Sequence, residues 1–233
     1  MRRRPAHYHI FSWPKGAGSF VFARSILKME DGSLIASMYG RFLGDNCDRS
    51  ILVRSTDCGT TWKFFSTIAY QPDVGGEGLN EPGVVQLANG DLFCIMRNQS
   101  GKPMWTARSN GLGQTWKNLI RAPQHAVSVF PDLTPMENGV LACSFGRPGC
   151  HIMFSIDGTG EQWTSRTTIF EGPSTCYTAI REVVSGKLLY VYDVRFAHQR
   201  LRLMVTPAGW GKVKEGQFNC ICGVFVTVRR KEG

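Results

Sequence analysis

Two series of turn signals run in step along the chain, and they limit its fold more than any other feature. The first is a polar-Gly turn leading into an apolar strand. It occurs as "MEDGSLIASMYG" (29–40), "LANGDLFCIMR" (87–97), "MENGVLACSFG" (136–146) and "VVSGKLLYVYD" (183–193). Its glycines, Gly32, Gly90, Gly139 and Gly186, are spaced 58, 49 and 47 residues apart. The second series is "ILVRSTDCGTTW" (51–62), "MWTARSNGLGQTW" (104–116) and "IMFSIDGTGEQW" (152–163), whose closing tryptophans are spaced 54 and 47. Each unit reads as strand, Gly turn, strand, loop, strand, Asp-Gly turn, strand. β-Branched and aromatic residues fill the strands, and Gly, Asp and Asn fill the turns. Four-stranded antiparallel units repeating every ~40–50 residues predict an all-β chain folded as a β-propeller. A sandwich would repeat at a shorter interval. Helical periodicity is nearly absent; "IREVVSGKLL" is kept from being one by Gly186 and its β-branched residues.

Composition supports one domain over residues 1–233. Hydrophobic residues make up 42% and charged ones 19%, which suits a chain with a real core. The net charge of +9 favours anionic partners. Its densest basic runs, "RRR" (2–4) and "RRK" (229–231), lie at the termini, where charge is usually solvated, so nucleic acid is not expected as a partner. The eight cysteines form no C-x-x-C pair and no histidine stands at ligand spacing beside them, so no metal site is expected. Cys94 and Cys143 lie in apolar runs and read as small core residues. A chain of this size does not require disulfides. "MRRRPAHYHIF" has no apolar signal segment, and no run approaches the ~20 apolar residues of a membrane span. The expectation is a soluble chain with no visible export signal.

"STDCGTTW" (55–62) looks at first like a site, with an acid among hydroxyls. Turn chemistry accounts for all of it. Asp57 can accept bonds from amides further along, Gly59 supplies a left-handed position, and Trp62 re-enters the sheet to pack between blades. These residues resemble the Asp-box, Ser/Thr-x-Asp-x-Gly-x-Thr-Trp, of the sialidase (neuraminidase) superfamily. "SNGLGQTW" is a second copy with Gly111 in place of the acid, and "SIDGTGEQW" a third with one extra residue.

Three further segments resemble those that carry sialidase chemistry. "NEPGVVQLANGDLFCIMRNQSG" (80–101) matches the segment with an acid before one strand and an Arg ending the next, here Glu81 and Arg97. "FGRPGCHIMFSIDG" (145–158) matches the segment with a substrate Arg, here Arg147. "GPSTCYTAIREVVSGKLLYVYD" (172–193) matches the segment with the catalytic tyrosine, here Tyr177. The resemblance covers about residues 20 to 205, and "GVFVTVRR" (223–230) reads as a closing strand. It implies a propeller of the six-bladed sialidase type. It also implies Tyr177 as nucleophile with Glu81 as its base, and Arg97 and Arg147 as a clamp on a sugar carboxylate. Guanidinium forks suit a carboxylate. A neutral tyrosine suits a substrate that would repel an anionic nucleophile.

Arg24 in "FARSIL" is the candidate third arginine, with Arg41 competing. Asp45 in "GRFLGDNCDRS" is the first candidate acid and Asp48 the second. Asp132 in "FPDL" either lines the same face or caps a turn, the second reading being preferred, and His125 and His151 receive no role. The chain holds about four to five blades of sequence, which predicts an N-terminally shortened member able to associate through exposed blade edges. The leading function is a retaining exo-sialidase-like hydrolase acting on an acidic glycan. A non-catalytic glycan-binding propeller and a propeller hydrolase for another acidic sugar stand beside it. None of these needs a cofactor or metal.

Overall fold

The computed structural model describes residues 10–12, 17–197 and 218–229. Within them the repeat becomes four sheets. The first holds β2 (Ala17–Lys28), β3 (Leu34–Phe42), β4 (Arg49–Ser55) and β5 (Thr61–Ala69), with the short β1 (Ile10–Ser12) parallel to β5 at the edge. The second holds β6 (Asn80–Gln86), β7 (Leu92–Arg97), β8 (Trp105–Ser109) and β9 (Lys117–Arg121). The third holds β10 (Val129–Pro135), β11 (Leu141–Gly146), β12 (Cys150–Ser155) and β13 (Thr167–Phe170). The last holds β14 (Ala179–Val184), β15 (Lys187–Ala197) and β16 (Phe218–Thr227). Apart from β1, every pairing is antiparallel between sequence neighbours. The result is a four-bladed β-propeller arrangement, at the lower end of the four to five blades expected. The last blade has three strands among the described residues.

The glycine series forms the β2–β3, β6–β7, β10–β11 and β14–β15 turns. Gly32, Gly90, Gly139 and Gly186 have φ of 79°, 87°, 81° and 73°, a region a side chain disfavours. In the first three the glycine amide donates 2.9 Å to the carbonyl three residues back, on Met29, Leu87 and Met136. One turn geometry is thus stamped three times.

The first strand of each blade lies beside that of the next: β2 beside β6, β6 beside β10, and β10 beside β14. Apolar side chains fill the gaps between blades. Ile35 and Leu52 meet Leu92 and Met96 between the first two blades. Phe93 and Ile95 meet Leu141 and Phe145 between the second and third. Ala142 and Ile152 meet Ile180 and Tyr190 between the third and fourth. The strands β7 and β11 are therefore buried along their whole length, which is why both their faces are apolar in sequence. Cys94 and Cys143 lie there, fully buried as expected. All eight cysteines are free thiols. On β16 the alternation differs: Val224 and Val226 pack inward, whereas Ile221 and Phe225 are 71% and 61% exposed. No helix of the described residues is long and apolar enough to cross a membrane.

The Asp-box turns close the third and fourth strands of the first three blades. Each Ser hydroxyl accepts from the turn glycine amide: Ser55 from Gly59 (2.9 Å), Ser109 from Gly113 (2.9 Å) and Ser155 from Gly160 (3.0 Å). In the complete copy, Asp57 also accepts from the Thr61 amide (2.8 Å) and hydroxyl (2.6 Å) and from the Ser55 hydroxyl (2.7 Å). The tryptophans divide in their packing. Trp163 meets Phe93 of the preceding blade, and Trp116 donates to Ser66 of the preceding blade. Trp62 is buried among residues of its own blade, Ala36, Ile51 and Val53, rather than between blades as expected.

The bonds from Thr61, first from its hydroxyl and then its amide, pull the Asp57 carboxyl down to about 2. A carboxyl depressed in the folded state adds stability above its unfolded value near ~3.9 and loses it as pH falls toward 2. The melting temperature of Asp57→Asn should accordingly lie below that of the parent chain at neutral pH. The gap should close between about pH 4 and pH 2. A gap that stays constant through that window would remove the electrostatic account of this turn.

Candidate functional site

The site is built from a backbone irregularity repeated on the first strand of successive blades. The β2–β3, β6–β7 and β10–β11 pairings each skip register, between Phe22 and Ile26, between Asn80 and Gly83, and between Val129 and Asp132. Inside each skip one non-glycine residue takes a left-handed φ: Arg24 (45°), Glu81 (46°) and Phe130 (43°). Such residues cost of order 1–3 kcal/mol each and tend to collect where side chains must be re-aimed. Glu81, Phe130 and Tyr177 each stand nine residues before their blade's turn glycine, Gly90, Gly139 and Gly186. The repeat therefore delivers them to one place.

There, Glu81 is only 3% exposed and is held by three donors. The Tyr177 hydroxyl donates to its Oε1 at 3.3 Å, across 96 residues of chain. Arg97 Nη1 donates to the same oxygen at 3.1 Å. The Phe130 amide donates to Oε2 at 2.9 Å. The rings of Phe130 and Tyr177 meet edge-on, with centroids 5.1 Å apart. Tyr177 itself is 47% exposed, whereas the Glu81 carboxylate its hydroxyl meets is buried.

The two arginines that follow the second strands join the same cluster. Arg97 ends β7, and its Nη2 reaches Glu77 at 3.0 Å and the Ser100 hydroxyl at 3.3 Å. Its buried Nε has no partner. Arg147 follows β11 with a left-handed φ of 72°. It donates to the same Ser100 hydroxyl (3.4 Å) and to the Thr175 carbonyl (2.9 Å), and its guanidinium lies 5.7 Å from the Tyr177 ring centre. Ser100 thus links the two arginines.

Four of the six residues singled out from the sequence therefore come together: Glu81, Arg97, Arg147 and Tyr177. The other two are placed differently. Arg24 stacks on the Phe130 ring, 3.9 Å from its centre, and donates to the carbonyls of Phe130 and Pro131. Burial lowers its guanidinium to about 10, still charged at neutral pH. Asp45 is taken up by Arg49, at 2.7 and 2.9 Å, and by the Phe42 amide at 3.0 Å. The Arg49 bond holds its carboxyl below the usual range. Asp48 instead accepts from Arg41 (2.9 Å) and from Asn80 (2.9 Å), and Asn80 also donates to Glu77 (3.2 Å). A chain of polar contacts thus joins Asp48 through Asn80 and Glu77 to Arg97.

Asp132 needs a correction. Rather than capping a turn, it is buried and accepts from the Ile180 amide (2.9 Å) and from Arg181 (2.8 Å), tying the third blade to the fourth. His151 is buried too, 2.7 Å from the Pro148 carbonyl and 3.1 Å from the Thr168 hydroxyl, and burial lowers its pKa. Sequence reasoning passed over Phe130, Glu77, Ser100 and Tyr39. Tyr39 lies on β3 two residues from Ser37, whose hydroxyl donates 2.9 Å to the Pro82 carbonyl. Burial, and then the Glu81 charge, raise the Tyr39 phenol. Phe130 was within reach through the nine-residue offset. Among the described residues no His, Cys, Asp or Glu cluster could hold a metal ion.

A family model described as a BNR repeat-like domain matches residues 17–187. The chain belongs to that family. Among solved structures, this BNR repeat-like chain is similar to a protein of unknown function from Dyadobacter fermentans, with 15% identity and a TM-score of 0.63 over 88% of this chain and 52% of that one. It is also similar to an α-L-arabinofuranosidase of Fusarium graminearum in complex with arabinobiose, with 16% identity and a TM-score of 0.61 over 93% and 65%. A NanB sialidase variant from Streptococcus pneumoniae aligns at 17% identity and a TM-score of 0.57 over 72% and 26%. At these identities the likeness speaks to the fold alone. The chain spans about half of the first relative and between a quarter and two thirds of the others. No curated protein sequence matches it.

Proposed function

We propose that the chain carries a glycoside-hydrolase site of the sialidase kind, acting on the terminal acidic sugar of a glycan. One observation carries the reading: the Tyr177 hydroxyl and Arg97 share a single oxygen of the buried Glu81. A phenol held by a desolvated carboxylate can lose its proton as it attacks. In this reading the Tyr177 oxygen bonds to the anomeric carbon and its proton passes to Glu81. The glycosidic C–O bond breaks, and the leaving oxygen takes a proton from an aspartic acid. Water then attacks from the face the leaving group vacated, giving up a proton to the aspartate, and the Tyr177–carbon bond breaks as Glu81 returns its proton to the phenol, giving retention and restoring the hydroxyl. Arg147 and Arg97 orient the sugar carboxylate.

Asp48 is assigned the acid role here in preference to Asp45. Each is paired with an arginine, Asp45 with Arg49 and Asp48 with Arg41, but of the two only Asp48 is joined through Asn80 to the Glu77–Arg97 pair. Loss of a general acid is felt most with poor leaving groups. Asp48→Asn should slow cleavage of a natural sialyl disaccharide by about 10²-fold and an aryl sialoside by less. Equal slowing of both substrates removes Asp48 from the role.

The primary test is release of fluorophore from an aryl sialoside by the full chain. A second reading is a propeller hydrolase for a different sugar. It is favoured by Arg24, whose guanidinium is engaged by Phe130 and Pro131 rather than pointed at a substrate carboxylate. Turnover of an aryl α-L-arabinofuranoside without turnover of the sialoside selects it. Saturable binding of an acidic glycan with no turnover of either selects a binding propeller.

A further inference from the structure

Glu77 occupies the position that an incoming carboxylate would need. Its two carboxylate oxygens lie 3.1 and 3.0 Å from Arg97 Nη2, the outer edge of a guanidinium whose inner Nη1 is spent on Glu81. The two acids are held very differently. Glu81 is buried under three donors, while the Glu77 side chain is 49% exposed. An ion pair with one partner half in water is weak and easily exchanged. Glu77 also sits on glycines, with Gly75, Gly76 and Gly78 at φ of 70°, 66° and 94°. Outside this loop lies a pocket of about 330 Å³ whose lining includes Gly75, Gly76, Gln99, Lys102 and Arg121. Lys102 and Arg121 make that lining cationic, and Gly76 of the lining is the residue before Glu77.

From this arrangement we infer that Glu77 is a specificity gate: an internal carboxylate that caps Arg97 and yields only to a ligand carboxylate able to replace it. The inference rests on the proposed acidic-sugar site and adds a residue to it. At rest the gate neutralises Arg97 and keeps weak anions off it. A ligand that also engages Arg147 and the Tyr177 face has the extra contacts needed to displace Glu77 toward Lys102. Neutral ligands gain nothing from that displacement. The gate therefore acts on the charged group of the ligand alone. The Glu77 backbone carbonyl, which accepts from the Asp48 amide at 2.8 Å, keeps the loop anchored whatever side chain stands there.

The test is calorimetric binding of free sialic acid and of its methyl ester to the full chain, to Glu77→Gln and Glu77→Ala, and to Lys102→Gln. Both Glu77 variants should bind the acid about tenfold more tightly than the parent, the worth of one freed charge-assisted contact, with the ester unchanged. Lys102→Gln should bind the acid several-fold more weakly. If the parent binds the acid and neither Glu77 variant binds it more tightly, the gate is overturned while the acidic-sugar site stands. Unchanged affinity in Lys102→Gln overturns the outward position of Glu77. Absence of binding by every one of these proteins overturns the gate and the acidic-sugar site together.

Discussion

Tyr177→Phe is expected to cut release of fluorophore from an aryl sialoside by about 10³-fold or more, with the melting temperature of the chain unchanged. The substitution removes one oxygen and keeps the ring. The edge-on contact with Phe130 survives, and Glu81 Oε1 retains Arg97 at 3.1 Å. No buried group is orphaned, so the folded state loses little. The chemistry loses its attacking atom. Side by side, activity and melting curves separate a chemical role from a packing one, since a packing tyrosine would move the second more than the first. Full turnover by Tyr177→Phe sinks the tyrosine mechanism outright.

Arg97→Ala should fail differently. Its guanidinium, with the side chain 10% exposed, is the charged partner of the 3% exposed Glu81. Removing it strands a buried carboxylate, a loss of about 3–5 kcal/mol. For a chain of this length that lowers the melting temperature by roughly 10 °C. Replacing both partners, as Glu81→Gln with Arg97→Met, should recover much of the loss, because no net charge remains buried. Activity should not return with stability. A single variant as stable as the parent would mean that water reaches Glu81 and that the site is far more open than its burial implies.

The sequence was most legible where backbone demands recur. A left-handed turn needs glycine on every blade, so Gly32, Gly90, Gly139 and Gly186 marked the blades before any contact was known. The Asp-box serines were legible for the same reason, each bonding its own turn. Glu81, Arg97, Arg147 and Tyr177 were reached through resemblance, and they do gather. What stayed hidden depends on partners distant in sequence or on strand register. Asp45 looked available until the start of β4 brought Arg49 onto it. Asp132 looked like a turn residue, yet its bonds lie 48 and 49 residues away. Glu77 lies in a glycine loop with no periodic signal, and the placement of that loop against β7 gives it its arginine partner. Phe130 could have been found by counting back from Gly139, but an apolar residue at such a position does not announce itself as part of a polar site.

The repeated register skip has a consequence for how such a site can diversify. The second blade places an acid at the re-aimed position and the third an aromatic ring, and Tyr177 stands at the same nine-residue offset in the fourth. The left-handed backbone recurs at Glu81 and Phe130, and only the side chain placed on it differs. A single codon change at that position swaps a chemical function without refolding a loop. The repeat thus works something like a keyboard, in which the notes can change while the spacing of the keys is fixed.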